Sequence, residues 1–237
     1  MGAGLRPGAV GGRRDHGLRA GGLSGVFTGI VEATGVVSLV NTNAAGRRIR
    51  FCAPDVIEGL TVGRSVAVDG ACLTAVDLHS DGFSVDVIGT TLERTVAGGY
   101  HEGVQVNLEL GLRFGAPLDG HMVQGHVDGV GEVLAVLSDG DSWLVDVRLP
   151  PEVEDVTVLH GSITLNGVSL TVNALPGPGS CQVALIPHTR AVTTLGSLRI
   201  GDAVNVEVDL IGKYVGRILA SQRAVPGRSP DPAIPDP

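Results

Sequence analysis

Aromatic residues are scarce in this chain: four Phe, two Tyr and one Trp among 237 residues, 3% in all. So few rings cannot fill a core alone, and the 43% of hydrophobic residues are mostly Val, Leu, Ile and Ala. Long apolar runs are also missing; hydrophobic residues alternate with polar ones, and no stretch is long enough to cross a bilayer, which speaks against a helical membrane protein. Positive charge is in deficit, with 17 Lys and Arg against 25 Asp and Glu and a net charge of -8. Phosphate binding needs a basic face, so a small molecule is a better expectation than nucleic acid. Cysteine is limited to Cys52, Cys72 and Cys181, an odd number with no CxxC pair. That argues against a disulfide framework and for free thiols in a reducing compartment, with the cytoplasm as the expected location. No strand is followed by a GxGxxG turn and a helix, so a dinucleotide domain, and with it the flavin barrel of a reductase, is not expected.

Glycine and proline are abundant, but unevenly placed. Residues 1–25 interleave glycines with Arg6, Arg13, Arg14 and Arg19 and lack the apolar stretch of a signal peptide. They are expected to be disordered, as is the Pro-rich tail 223–237.

Between these ends the chain repeats itself. Thr28–Gly35 (TGIVEATG) matches Gln124–Gly131 (QGHVDGVG) at an offset of 96; Ser65–Thr74 (SVAVDGACLT) matches Ser162–Thr171 (SITLNGVSLT) at 97. Val106–Glu109 matches Val204–Glu207 at 98, and Thr91 aligns with Thr189. Four blocks in one order mean duplication of a domain of roughly a hundred residues. Within each copy, apolar residues at alternate positions (Val66 and Val68, Val85 and Val87, Val204, Val206 and Val208) read as short strands with one face in a core. Asp69-Gly70, Asp81-Gly82 and Asn166-Gly167 mark hairpin turns. With no helix-period segment between the strands, the expected fold is all-β: two closed antiparallel barrels in series, 26–120 and 121–209. Ile211, Tyr214, Val215, Ile218 and Leu219 have the spacing of an amphipathic helix over 210–222, to pack on its own barrel or join subunits.

Residue types alone leave several roles open. Cys72, just past a turn, is either a working thiol or a small buried hydrophobe. His121 and His126, five apart on a strand, would point to opposite faces, so they do not make a metal pair. Asp209 alternates with Val206, Val208 and Leu210 and should face outward. Thr74, Thr91, Ser169, Thr171 and Thr189 are short hydroxyls at matched positions, ordinary in strands but notable as pairs.

FTGIVE (27–32), DGACLT (69–74), GHMVQGHVDG (120–129), NGVSLTV (166–172) and VNVEVD (204–209) together resemble riboflavin synthase, over about Phe27 to Ala220. The resemblance implies two six-stranded Greek-key barrels, a C-terminal helix and a homotrimer with active sites between the N-barrel of one subunit and the C-barrel of the next. It implies no cofactor and no metal, and association with lumazine synthase. The implied activity is conversion of two 6,7-dimethyl-8-ribityllumazine molecules into riboflavin and 5-amino-6-ribitylaminouracil. Its alternative is a lumazine-binding antenna protein without the chemistry.

By the same resemblance Ser65, Cys72, His126 and Asp209 are the catalytic candidates: a thiol with a polar neighbour, an imidazole to carry the proton of the acidic C7 methyl group, and a carboxylate at the inter-subunit site. Phe27, Gly29, Val31, Thr74, Ile88, Gly89, Thr90 and Thr91 in the first copy are implied in substrate binding. Gly125, Val127, Ser169, Thr171, Leu185, Ile186, Pro187, His188 and Thr189 are their counterparts in the second. Relatives often carry Glu where this chain has Thr90, which leaves one ribityl contact in question. In the family FTG follows the initiating Met, whereas here Val26 precedes it, so residues 1–25 are expected to be a start-site artefact.

Overall fold

A computed structural model describes residues 25–223; the leader up to residue 24 and the tail from residue 224 lie outside the described residues. Strands β1 (Ala33–Asn43), β2 (Gly46–Cys52), β3 (Ser65–Val68), β4 (Ala71–His79), β5 (Gly82–Ile88) and β6 (Gln105–Leu110) close into a barrel in the order β1-β2-β5-β4-β3-β6. Strands β7 (Gly129–Asp139), β8 (Ser142–Arg148), β9 (Ser162–Leu165), β10 (Val168–Ala174), β11 (Ser180–Leu185) and β12 (Ala203–Val208) close into a second with the same cyclic order, β7-β8-β11-β10-β9-β12. Every pairing is antiparallel. The register shifts also repeat: between Val37 and Leu39 and again between Val133 and Ala135, between Ala75 and Asp77 and again between Val172 and Ala174. Such bulges sharpen strand twist, which lets so few strands curl shut.

The hairpins β3–β4 and β9–β10 turn on Asp69-Gly70 (φ 44° and 78°) and Asn166-Gly167 (φ 44° and 76°), the left-handed pairs a two-residue hairpin requires. The two turns meet back to back. A Cβ on Gly70 would lie 2.7 Å from the Gly167 nitrogen, and one on Gly167 would lie 2.6 Å from the Gly70 nitrogen, so only glycine permits the contact.

Around this contact the barrels exchange hydrogen bonds in matched pairs. Asn107 donates to the Asn166 carbonyl (2.9 Å) and accepts from the Thr194 amide (2.8 Å); Asn205 donates to the Asp69 carbonyl (2.7 Å) and accepts from the Val96 amide (2.8 Å). Both asparagines are buried, and each side-chain amide satisfies one backbone carbonyl and one backbone N–H of the other repeat.

Each barrel has its own core. The first is built on Phe51, Phe83, Ile49, Val85 and Leu108, with Phe51 and Phe83 5.3 Å apart and Tyr100 edge-on to Phe51 at 6.3 Å. The second is aliphatic: Ile163, Leu165, Leu185, Leu195 and valines around buried Cys181.

Two short helices, α1 (Gly89–Arg94) and α2 (Pro187–Val192), follow β5 and β11, a correction to the expectation of strands alone. Each is six residues long, too short to show a helical period in sequence. Each runs into a 3-10 turn through a threonine: Thr95 donates to the Thr91 carbonyl (2.7 Å) and Thr193 to the Thr189 carbonyl (2.7 Å), while both accept from the next turn. Helix α3 (Leu210–Arg223) closes the fold where the amphipathic spacing placed it. Its Gly212 and Gly216 let it lie close on Val156. No helix among the described residues is long and apolar enough to cross a membrane.

Candidate active site

The segments leading into the two barrels cross. Phe27 and Val123 exchange both backbone hydrogen bonds (2.7 and 3.1 Å), and the His121 amide donates to the Thr28 carbonyl (3.1 Å). Past the crossing each segment lies on the other repeat: the Gly29 carbonyl accepts from the Ser169 amide (2.7 Å) and the Gly125 carbonyl from the Cys72 amide (2.8 Å). Both glycines are left-handed (φ 76° and 74°), and a Cβ on either would press within 2.7 Å or 2.6 Å of the facing Ser169 or Cys72 Cβ. The segments are held from below by buried carboxylates. Glu109 accepts from the Thr28 amide (2.6 Å), the Thr28 hydroxyl (2.8 Å) and the Gly29 amide (2.9 Å); Glu207 accepts from the Gln124 amide (2.9 Å). Burial pushes Glu109 up to about 7 against those three donors, and raises Glu207 likewise.

Two cradles result, each where the lead segment of one repeat lies on a strand of the other. The first is an open pocket of about 350 Å³ whose walls include Cys72, Thr90, Thr91 and Arg94 from the first repeat, His126 and Val127 from the second, and Lys213 from α3. Burial raises the Cys72 pKa, with a hydrogen bond to half-buried Ser65 opposing and Glu207 adding to the rise. The group is therefore a neutral thiol, suited to donate a hydrogen or pack against a ring rather than to stand as a thiolate. His126 is exposed at the rim.

The second cradle is furnished differently. His121 Nδ1 and Ser169 Oγ share a 2.7 Å hydrogen bond, and burial lowers the His121 pKa with the charge of Asp209 opposing. A neutral imidazole beside a carboxylate can accept a proton and have the resulting cation stabilised. Asp209 is half-buried rather than fully outward, because Oδ1 accepts the Ile211 amide (2.9 Å) and caps the first turn of α3.

The structure thus gathers Cys72, Thr90, Thr91, Gly125, His126 and Val127 at one cradle, and Gly29, Ser169 and Asp209 at the other. Val31 packs at the margin of the second core, not the first. Phe27 and Leu185 are fully buried among core residues, which leaves their side chains no surface for a ligand. Ile88, Gly89, Ile186, Pro187 and His188 stand exposed where α1 and α2 begin, with Thr189 half-buried; Thr74 and Thr171 are exposed on their strands.

Sequence reasoning missed Lys213 and the paired Glu109 and Glu207, although the last two lie inside a repeat block it had matched. His121 it set aside. The stretch 121–126 is not a strand but an extended segment bent at Gly125, and its one bridge is Phe27 to Val123. His121 and His126 do part, yet each reaches a cradle. Among the described residues no cluster of His, Cys, Asp or Glu could hold a metal ion.

The lumazine binding domain family matches residues 28–111 and again 124–209. Riboflavin synthase of Mycobacterium tuberculosis (strain ATCC 25618 / H37Rv) is 42% identical over 199 residues, 83% of this chain and 99% of that protein. The chain belongs to the riboflavin synthase family. It is accordingly an enzyme, a transferase. A further riboflavin synthase, from Bacillus subtilis (strain 168), is 36% identical over 194 residues, 82% of this chain and 90% of its own length. Among solved structures, LumP complexed with 6,7-dimethyl-8-(1'-D-ribityl) lumazine superposes with a TM-score of 0.70 at 25% identity, covering 77% of this chain and 98% of that one. LumP complexed with riboflavin gives 0.72 at 26% identity, with the same coverage. The tandem lumazine-binding domains of the sequence thus coincide with the two closed six-stranded barrels of the structure.

Proposed function

We propose that the chain turns two molecules of 6,7-dimethyl-8-ribityllumazine into riboflavin and 5-amino-6-ribitylaminouracil by moving a four-carbon unit from one to the other. The observation that carries this reading is the pair of cradles with one backbone plan and different side chains. A reaction between two identical molecules needs two similar sites, and their opposite roles need the sites to differ. The two products together contain the atoms of the two substrates, so no outside oxidant or group donor enters the balance. Fixing both reactants in register makes the step nearly unimolecular.

In this reading Cys72, Ser65 and His126 serve the molecule in the first cradle, with His126 moving the C7 methyl proton. Ser169, His121 and Asp209 serve the other. The hydroxyls of Thr90, Thr91 and Thr189 take the ribityl chain and Val127 packs on the ring. The first cradle of one chain faces the second cradle of a neighbour in a homotrimer, joined through α3. Ile211 (71% exposed), Tyr214, Val215, Ile218 and Leu219 leave that helix an apolar face uncovered by its own chain, which supports a subunit contact there.

The test is to add the ribityllumazine to purified protein without cofactor or metal and follow riboflavin by absorbance. Catalytic growth is expected, and Asp209→Asn should slow it by about a hundredfold or more. Tight binding without turnover would make the protein a binder of the antenna kind, and an Asp209→Asn variant with full turnover would remove that residue from the chemistry.

A further inference from the structure

Four ion-pair contacts among the described residues (Arg48 with Asp77 and with Asp86, Arg50 with Asp81, Arg148 with Glu132) join side chains that are 36–60% exposed. The fifth is different: Lys213 and Asp128 are only 23% and 20% exposed. Lys213 Nζ lies 2.8 Å from Asp128 Oδ2 and 3.5 Å from the His126 carbonyl, and the same Asp128 oxygen accepts from the Val208 amide (3.0 Å). One ammonium thus ties α3 to the end of β12 and to the segment that roofs the Cys72 cradle.

Both residues also line a second cavity. A groove of about 580 Å³ that Cys72 does not line runs between α3 and the turn Pro151–Val156, with Lys213 and Asp128 again in its wall. The pair therefore stands as the partition between the cradle and the groove. The other repeat has half of this device: Glu32 accepts from the Leu110 amide (2.9 Å) as Asp128 does from the Val208 amide (3.0 Å), but β6 is followed by a loop where β12 is followed by α3.

We propose that Lys213 is a positioning residue for the Cys72 cradle: through Asp128 it holds the His126–Asp128 segment in place and closes the back of the cradle against the α3 groove. This rests on the functional reading above, and it adds a substrate-positioning role for α3 to the subunit contact. Removing the charge loosens the roof and joins the two cavities, so water enters behind the bound ring. The loss falls on binding more than on the reacting atoms.

The unaltered chain is assayed first with 6,7-dimethyl-8-ribityllumazine, then Lys213→Met, which keeps the aliphatic stem and removes the ammonium. Expected is a KM raised about tenfold with kcat within about threefold, the pattern of lost uniform binding. Lys213→Arg should recover most of the loss, and adding Asp128→Asn to Lys213→Met should cost nothing further, because the two act as one unit. An unchanged KM, or a fall in kcat alone alongside a lowered Tm, overturns the proposal. If the unaltered chain shows no turnover, the functional reading fails by itself. The partition is then read by fluorescence titration with riboflavin, where about tenfold weaker binding to Lys213→Met supports it and equal binding overturns it.

Discussion

The two barrels share a chain path down to their bulges, yet they are filled by different chemistry. Phe51, Phe83 and Tyr100 of the first correspond to Val147, Cys181 and Leu198 of the second. One of these exchanges draws in the turn. Tyr100 donates its buried hydroxyl to Asp69 Oδ2 (2.6 Å), whereas the second barrel, with Leu198, has no hydroxyl to satisfy and carries Asn166. In both turns Oδ1 does the same work, accepting from the backbone N–H of Asn107 (2.8 Å, to Asp69) or of Asn205 (2.7 Å, to Asn166). A duplicated backbone thus tolerates new side chains in linked sets, where a buried donor and its acceptor change together.

The largest effect that would sharpen this comparison lies in the cores. Phe51→Ala should cost about 3–5 kcal/mol in urea unfolding, and its counterpart Val147→Ala about 2, because the aromatic leaves the larger cavity. Equal losses would mean that the first barrel does not depend on its rings. Next come the asparagines between the barrels. Asn107→Ala and Asn205→Ala should each cost about 2–3 kcal/mol, since each strands a carbonyl and an amide in a dry interface. A large difference between them would break the two-fold equivalence.

Acidity probes the linked set. Burial pushes Asp69 up to about 7 against its hydrogen bonds from Tyr100 and Asn107. Its folded pKa lies above the ordinary carboxylate value, so its contribution to stability is complete in acid and is lost as the pH rises through about 7. Glu109 acts in the same direction. The Tm should therefore fall from about pH 5 to about pH 8, and Asp69→Asn with Tyr100→Leu, which copies the second barrel, should make that fall shallower. An unchanged slope would take Asp69 out of the account. The smallest effect is at the surface: Arg48, exposed between Asp77 and Asp86, has Leu144 as its counterpart, and Arg48→Leu should leave the Tm unchanged within error.

Much of this was legible in the residues because it was local or repeated. Alternating valines, the Asp69-Gly70 and Asn166-Gly167 turns and matched blocks fix strands, hairpins and duplication, and spacing alone placed α3. The turn expected at Asp81-Gly82, by contrast, falls one residue earlier, with Gly82 already in β5. Features that depend on chain crossing were not legible. Nothing near Gly29 says that its carbonyl will meet Ser169, or that Gly125 will meet Cys72. Glu109 and Glu207 read as polar positions in strands until the crossed segments bring them their donors. Helices α1 and α2 were too short to show a period, and His121 was judged on a strand geometry that its segment does not have.

The crossing of the lead segments has a historical consequence. Neither repeat completes a cradle from its own residues, because the strand that carries Cys72 or Ser169 is always roofed by the other copy. A single repeat could reproduce the arrangement only by pairing with an identical chain about a true two-fold axis, which is the geometry of an isologous dimer. Such an ancestor would have had two equal cradles and no means of changing one without the other. Two repeats joined in one chain are free of that symmetry, so a cysteine and a serine can occupy corresponding places, as Cys72 and Ser169 do.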